Sequence, residues 1–207
     1  MIEKARFAIT ISRQLGSGGA YIGKQLAEKL NVFYADREII SEAAKQLAVL
    51  KEKLEVRDET VFSFWQSLLQ SYAVAPDAYM PPQPIVPADQ ELFKTESEII
   101  ERIARERSAV IIGRCGFHVL REHPHHVSVF LHAGMSFRKA RLQCLYEITE
   151  EIAKKMIAES DAERARYNHK FTGKEWTDVR QYNLAFDTGK VGVDKSVELI
   201  LQYLAAI

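Results

Sequence analysis

Residues 7–30, FAITISRQLGSGGAYIGKQLAEKL, decide the fold. Phe7, Ile9 and Ile11 alternate with Ala8 and Thr10 in a β-branched, apolar run, which reads as a buried strand. Gly16, Ser17, Gly18 and Gly19 follow as a turn. Glycine admits positive φ and close backbone approach, so successive N–H groups converge on an anion. Ile22, Leu26, Ala27 and Leu30 then recur at helical spacing. The helix N-terminus adds partial positive charge where the turn ends. Strand, glycine turn and helix together are the layout of a phosphate-binding loop. A strand–turn–helix without a ligand is the plainer alternative.

Three registers compete for the glycines. A GxGxxG dinucleotide fingerprint fails because Tyr21 stands at its third glycine. A formal GxxxxGK match from Gly18 to Lys24 falls inside the helix, and Gln25 follows where Ser or Thr belongs. The working register sets Gly16-Ser17-Gly18-Gly19-Ala20-Tyr21 on the usual Gly-x-Gly-Lys-x-Thr core. There Gly19 replaces the lysine, Tyr21 the magnesium-binding hydroxyl and Arg13 the first glycine.

At 207 residues and 47% hydrophobic content, one globular domain is expected, or one core with an appendage. Lys+Arg and Asp+Glu balance at 28 each, so no general pull toward nucleic acid polymers or anionic membranes is expected. Cys115 and Cys144 form no disulfide or metal motif, which suits a reducing, cytoplasmic setting. No apolar run approaches a transmembrane length, and MIEKARF enters its strand too early for a signal peptide.

Beyond the first helix, NVFYADREII reads as a short extended segment ending near Asp36. Helices are expected over 39–54, over 58–72 with Phe62, Phe64 and Trp65, and over about 89–107 with Leu92, Ile99, Ile100 and Ile103 on the apolar side. The aromatic-rich helix is either core or the interface of a homodimer. Residues 76–87 hold five of the six prolines and read as loop. AVIIG at 109–113 and VSVFLHA at 127–133 read as strands buried on both faces. One long helix is expected from about 136 to 159, then a polar stretch at 161–178, a strand near 182–187 and a helix over about 193–203. This alternation specifies an α/β fold with a parallel sheet and ligands at the strands' carboxyl ends.

Phosphoryl transfer needs cations around spread negative charge. Arginines stand where strands end: Arg114 directly after AVIIG, and Arg37 after Asp36. Arg138 and Arg141 lie three apart on one helix face, and Arg164 and Arg166 follow Asp161. A guanidinium grips phosphate at two points. The plainer alternatives are ion pairs of Arg37 with Asp36 or Glu38, a solvated face for Arg138 and Arg141, and pairs of Arg164 and Arg166 with Asp161 and Glu163. His123, His125 and His126 read as loop histidines rather than metal ligands. Cys115 reads as a small structural residue, since no activating partner is evident. Tyr167, Phe171 and Trp176 either stack on a base or pack.

ISRQLGSGGAYIGKQLAEKL, FYADREII, AVIIGRCGFHVL, VFLHA, FRKAR, SDAERARYNHKFTGKEW and FDTGKVGVDKSVELI occur in this order and resemble the cytidylate kinase-like family. The resemblance covers nearly the whole chain and implies a nucleoside monophosphate kinase fold with a five-stranded parallel sheet. It implies a core of about 1–37, 108–160 and 180–207, an acceptor-binding insertion of about 38–107 carrying the prolines, and a lid of about 161–179. It further implies ATP with Mg2+ as cofactors and a small nucleotide, first of all cytidylate, as acceptor. Arg13, Arg114, Arg138 and Arg164 would be catalytic. Gly16, Ser17, Gly18, Gly19, Ala20, Tyr21 and Arg141 would hold the ATP phosphates, and Asp36, Arg37, Gly113 and Asp161 the acceptor side. Two departures stand out: Gly-Gly-Ala-Tyr in place of a Gly-Lys-Gly-Thr loop, and Gly113-Arg114-Cys115 in place of Gly-Arg-Asp. They remove a lysine, a hydroxyl and a carboxylate, leave the magnesium ligands unassigned apart from Ser12 or Ser17, and make a nucleotide-binding sensor without catalysis an alternative. A kinase with a non-nucleotide acceptor is another.

Overall fold

A computed structural model describes residues 6–36, 40, 44 and 89–207. The expected helices over 39–54 and 58–72, the proline-rich stretch and Arg37 lie outside the described residues. So does most of the expected insertion. The described elements, in chain order, are β1 (Ala8–Arg13), α1 (Gly19–Leu30), β2 (Phe33–Ala35), α2 (Asp89–Glu106), β3 (Ala109–Ile112), α3 (Gly116–Val119), β4 (His126–His132), α4 (Met135–Tyr146), α5 (Glu150–Thr172), β5 (Leu184–Asp187), α6 (Thr188–Val191) and α7 (Val193–Ala206).

The strands form one sheet in the order β2-β3-β1-β4-β5, and every pairing is parallel. β1 is central, with Ile11 opposite Ile112 on one side and Val129 on the other. Strand alternation divides the core into two layers. Ile9, Ile11, Val110, Ile112, Val129 and Leu131 pack with Ile22 and Leu26 of α1 and with Val197 and Ile200 of α7. Ala8, Ala35, Ala109 and Ile111 pack on the other face with Ile99, Ile100 and Ile103 of α2. The fold is therefore a three-layer α/β sheet, as the alternation of elements predicts. Ile22 and Leu26 are fully buried, and each such side chain contributes about 1.5–3 kcal/mol through removal from water. Parallel pairing also puts Arg13, Asp36, Gly113, Ala133 and Asp187 at one edge, the carboxyl edge.

The structure corrects the expected long helix after 136. It ends at Tyr146, where Glu147 turns left-handed (φ 53°). A second helix begins at Glu150, with the Thr149 side chain accepting from the Ile152 N–H and Glu150 and Glu151 in its first turn. Carboxylates there complement the helix dipole. This helix runs on to Thr172 and stops at Gly173 (φ 67°). The polar stretch from Asp161 is thus helical over most of its length, and the expected boundary at 161 falls in mid-helix. No helix among the described residues is long and apolar enough to cross a membrane.

Candidate active site

The loop between β1 and α1 is fixed from several sides. The Gln14 N–H donates to Leu131 O (2.9 Å), and its side-chain oxygen accepts from the Ala133 N–H (3.3 Å). Leu15 is held by both backbone groups: its N–H donates to Asp161 Oδ1 (3.1 Å), and its carbonyl accepts from Arg138 Nε (2.6 Å). Arg138 is buried and also pairs through Nη2 with Asp161 Oδ2, while Arg164 Nη1 approaches Asp161 Oδ1 at 3.4 Å. The Thr188 hydroxyl reaches the carbonyls of Ser17 (2.8 Å) and His132 (3.1 Å).

The glycines allow this packing. Gly16 and Gly18 have φ of 82° and 83°. A Cβ on Gly16 would lie 2.8 Å from the Arg138 carbonyl oxygen, and one on Gly18 would lie 2.6 Å from Val193 Cγ1. Gly18 is the N-cap of α1, and no side chain caps it. A helix start leaves its first N–H groups without intrahelical acceptors, so Gly19, Ala20 and Tyr21 present donors at the carboxyl edge of the sheet. Gly23 and Lys24 lie inside α1, which removes the Gly18–Lys24 match as a phosphate motif.

Arg13 occupies the space beside Gly19. A Cβ on Gly19 would come within 2.6 Å of Arg13 Cγ and 2.7 Å of its Cβ, and one on Gly113 would overlap its Nη1. The Arg13 side chain therefore runs across the start of α1 toward the turn after β3. Arg141 lies on the other flank, with Cζ 3.7 Å from a Cβ built on Gly18 and 5.9 Å from the Tyr21 ring centroid. The Tyr21 hydroxyl donates to Asp194 Oδ1 (2.8 Å), a bond that raises its pKa.

After β3 the backbone turns left-handed at three consecutive residues: Gly113 (77°), Arg114 (49°) and Cys115 (53°). Arg114 Nε pairs with Glu96 Oε1 of α2 at 3.2 Å. The Tyr167 hydroxyl of α5 donates to Glu96 Oε2 (2.7 Å), and the Arg114 guanidinium lies 5.0 Å from the Tyr167 ring centroid. Cys115 donates its S–H to Asn168 Oδ1 (3.2 Å). Burial pushes that thiol up to about 12, against the pull of Arg114, so it stays protonated and is structural. Burial raises the Tyr167 hydroxyl as well.

The structure thus brings Arg13, Gly16, Gly18, Gly19, Ala20, Tyr21 and Arg141 together around one helix start, with Gly113 and Arg114 on the neighbouring turn. Asp36 follows β2 at the same edge, its carbonyl accepting from the Ile40 N–H (3.1 Å). Arg138 and Asp161 bond each other and both backbone groups of Leu15, and so clamp the loop. The Ser17 hydroxyl is turned inward onto Gln14 O (2.8 Å), and Ser12 hydrogen-bonds Tyr182, so both hydroxyls considered for magnesium are engaged within the fold. Among the described residues no group of three His, Cys, Asp or Glu could hold a metal. His126 bonds Thr10 Oγ1 (2.7 Å), and burial together with His123 lowers its pKa to about 4. Trp176 packs with Phe117, Phe130 and Tyr182, and Phe171 stacks on Phe93. Arg166 pairs with Glu163 on an exposed face.

Sequence reasoning missed Glu96. Its signal is position: Leu92, Glu96, Ile99 and Ile103 fall on one helical stripe, so a lone carboxylate occupies an apolar slot. It also missed Thr188, whose stretch FDTGKVG entered only through the family resemblance.

A parallel sheet with a glycine turn leading into an uncapped helix at its carboxyl edge, flanked by arginines, defines a P-loop kinase fold. The model of the cytidylate kinase-like family matches residues 8–190, and the chain belongs to that family. A crystal structure of an uncharacterized protein from Eubacterium ventriosum is similar at TM-score 0.74 and 24% identity, covering 98% of this chain and 100% of that one. Shikimate kinase from Bacteroides thetaiotaomicron aligns at TM-score 0.51 and 15% identity over 96% and 98% of the two chains. The TT1252 protein from Thermus thermophilus aligns at 0.53 and 14% over 98% of each. These likenesses establish the fold. No curated protein matches the sequence.

Proposed function

We propose that this chain is an ATP-dependent phosphotransferase acting on a small nucleotide, with CMP as the first acceptor to test. The family and the fold support a kinase-type reaction. The observation that carries the proposal is the uncapped start of α1, flanked by Arg13 and Arg141 at the carboxyl edge. Backbone donors and two guanidiniums there suit a polyphosphate. Arg13 takes the part of the absent lysine on the phosphate oxygens, and Arg141 supports it from the lid side. Arg114 and Asp36 face the acceptor, with Arg37 next to Asp36 in sequence. Arg138, Asp161 and Arg164 hold the loop in shape, which matters because transfer depends on positioning. Mg2+ would enter with ATP and neutralise charge on its phosphates, without a protein carboxylate assigned to it.

The inward-turned Ser17 hydroxyl and Cys115 in place of a carboxylate favour a second reading, a nucleotide-binding sensor without transfer. Incubation of pure protein with Mg-ATP and CMP, dCMP, UMP, AMP or GMP separates the two. The kinase reading expects ADP and a nucleoside diphosphate with CMP. Tight ATP binding without turnover on any acceptor would establish the sensor instead.

A further inference from the structure

We infer that Thr188 is a positioning residue for the phosphate loop: its hydroxyl holds the Ser17 carbonyl so that the Gly18 N–H is set to meet a phosphate oxygen. The inference rests on the proposed reading of the turn after β1 as the ATP phosphate site. Thr188 is fully buried, and its hydroxyl donates toward Ser17 O (2.8 Å) and His132 O (3.1 Å). The Ser17–Gly18 peptide is trans. In a planar trans peptide the C=O and N–H point in opposite directions. A donor that draws the Ser17 carbonyl toward the ends of β4 and β5 therefore turns the Gly18 N–H away from them. Among the described residues that N–H meets no acceptor.

The next peptide needs no such help. Gly18 O accepts from the Ile22 N–H (2.9 Å), so α1 itself fixes the Gly18–Gly19 peptide and directs the Gly19 N–H out of the helix start. The Ser17–Gly18 peptide lies ahead of the helix, at a glycine with φ 83° and no capping side chain. Glycine leaves such a backbone free to turn. The Ser17 hydroxyl is already engaged with Gln14 O. Thr188 supplies the constraint from the β5 side. Its own carbonyl accepts from the Gly192 N–H (2.9 Å), and Asp187 Oδ1 accepts from the Gly189 N–H (3.0 Å), so the backbone carrying the hydroxyl is itself held. The same segment meets the loop twice more. Val193 Cγ1 lies 2.6 Å from a Cβ built on Gly18, and Asp194 accepts from the Tyr21 hydroxyl. Residues 188–194 thus line one flank of the loop, and Thr188 bonds its backbone directly.

The test is titration of Mg-ATP, and separately of inorganic tripolyphosphate, into wild type, Thr188→Ser and Thr188→Val, read by calorimetry and by the Gly18 amide resonance. Wild type is expected to bind both ligands, and each should move the Gly18 amide downfield. Thr188→Ser keeps the hydroxyl and should stay within about threefold of wild type for both. Thr188→Val keeps the shape and loses the hydroxyl. It should weaken both ligands at least about tenfold and reduce the Gly18 shift change. Should Thr188→Val fail to fold, Thr188→Cys replaces it with the same expectation, since a thiol is only a weak donor. A purely structural role would lower the denaturant midpoint and leave the folded variant's affinity unchanged. That result overturns the inference and leaves the phosphate site standing, as does a Gly18 amide unmoved in the ligand-bound wild type. A wild type that binds neither Mg-ATP nor tripolyphosphate overturns the inference and the phosphate-site reading together.

Discussion

Two turns stand side by side at the carboxyl edge, and they solve the same problem differently. The turn after β1 puts its positive φ angles on Gly16 and Gly18, where they are free of strain, and offers backbone N–H groups. The turn after β3 puts them on Gly113, Arg114 and Cys115 and offers a side chain. The first is a backbone cradle whose cations, Arg13 and Arg141, arrive from β1 and α4. The second carries its own cation, Arg114, paired with the buried Glu96. On the proposed kinase reading, a polyphosphate would lie at the first and the phosphate of an acceptor at the second.

The largest expected effect breaks the first turn. Gly16→Ala places a methyl against the Arg138 backbone, which cannot swing away, and does so at φ 82°. Mg-ATP affinity should fall at least about 100-fold in titration, corresponding to roughly 3 kcal/mol or more of strain. A smaller effect loosens its clamp. Asp161→Asn leaves the buried Arg138 without its carboxylate, with a cost of about 2 kcal/mol in denaturant unfolding, moderated because Asp161 is 20% exposed. The smallest effect touches the second turn. Cys115→Ala keeps the left-handed backbone and loses the thiol contact with Asn168, so stability should drop by about 1 kcal/mol and CMP binding should hardly change. A large loss of CMP binding in that variant would show that the thiol contact itself supports the acceptor site.

Much of the sheet and the glycine turn after β1 were legible in the sequence, for physical reasons. Strand alternation in Phe7–Ile11 and the apolar runs at 109–113 and 127–133 report burial directly, and glycine at 16 and 18 reports backbone angles directly. The helix break was not legible by periodicity, because Glu147 is an ordinary residue in a left-handed conformation. Thr149 followed by Glu150 and Glu151 was the available signal. The division of labour among the arginines was less legible still. Arg138 and Arg141 sit three apart on one helix, yet one bonds the Leu15 carbonyl and Asp161 and the other lies by Gly18 and Tyr21. What separates them is Asp161, 23 residues beyond Arg138 in the chain and on another helix. Glu96 was hidden for the same reason, since its partners come from β3 and α5.

The central claim is that Arg13 stands in for the loop lysine because Gly19 makes room for it. Arg13→Gly, Gly19→Lys and the pair together test it by Mg-ATP titration, since the pair reinstates the loop's first glycine at position 13, ahead of the core, and the lysine at position 19. Arg13→Gly removes the cation, and Gly19→Lys drives a side chain into Arg13. Each alone should weaken Mg-ATP at least about tenfold, and the double variant should return to within about threefold of wild type. Losses that simply add in the double variant would contradict the claim.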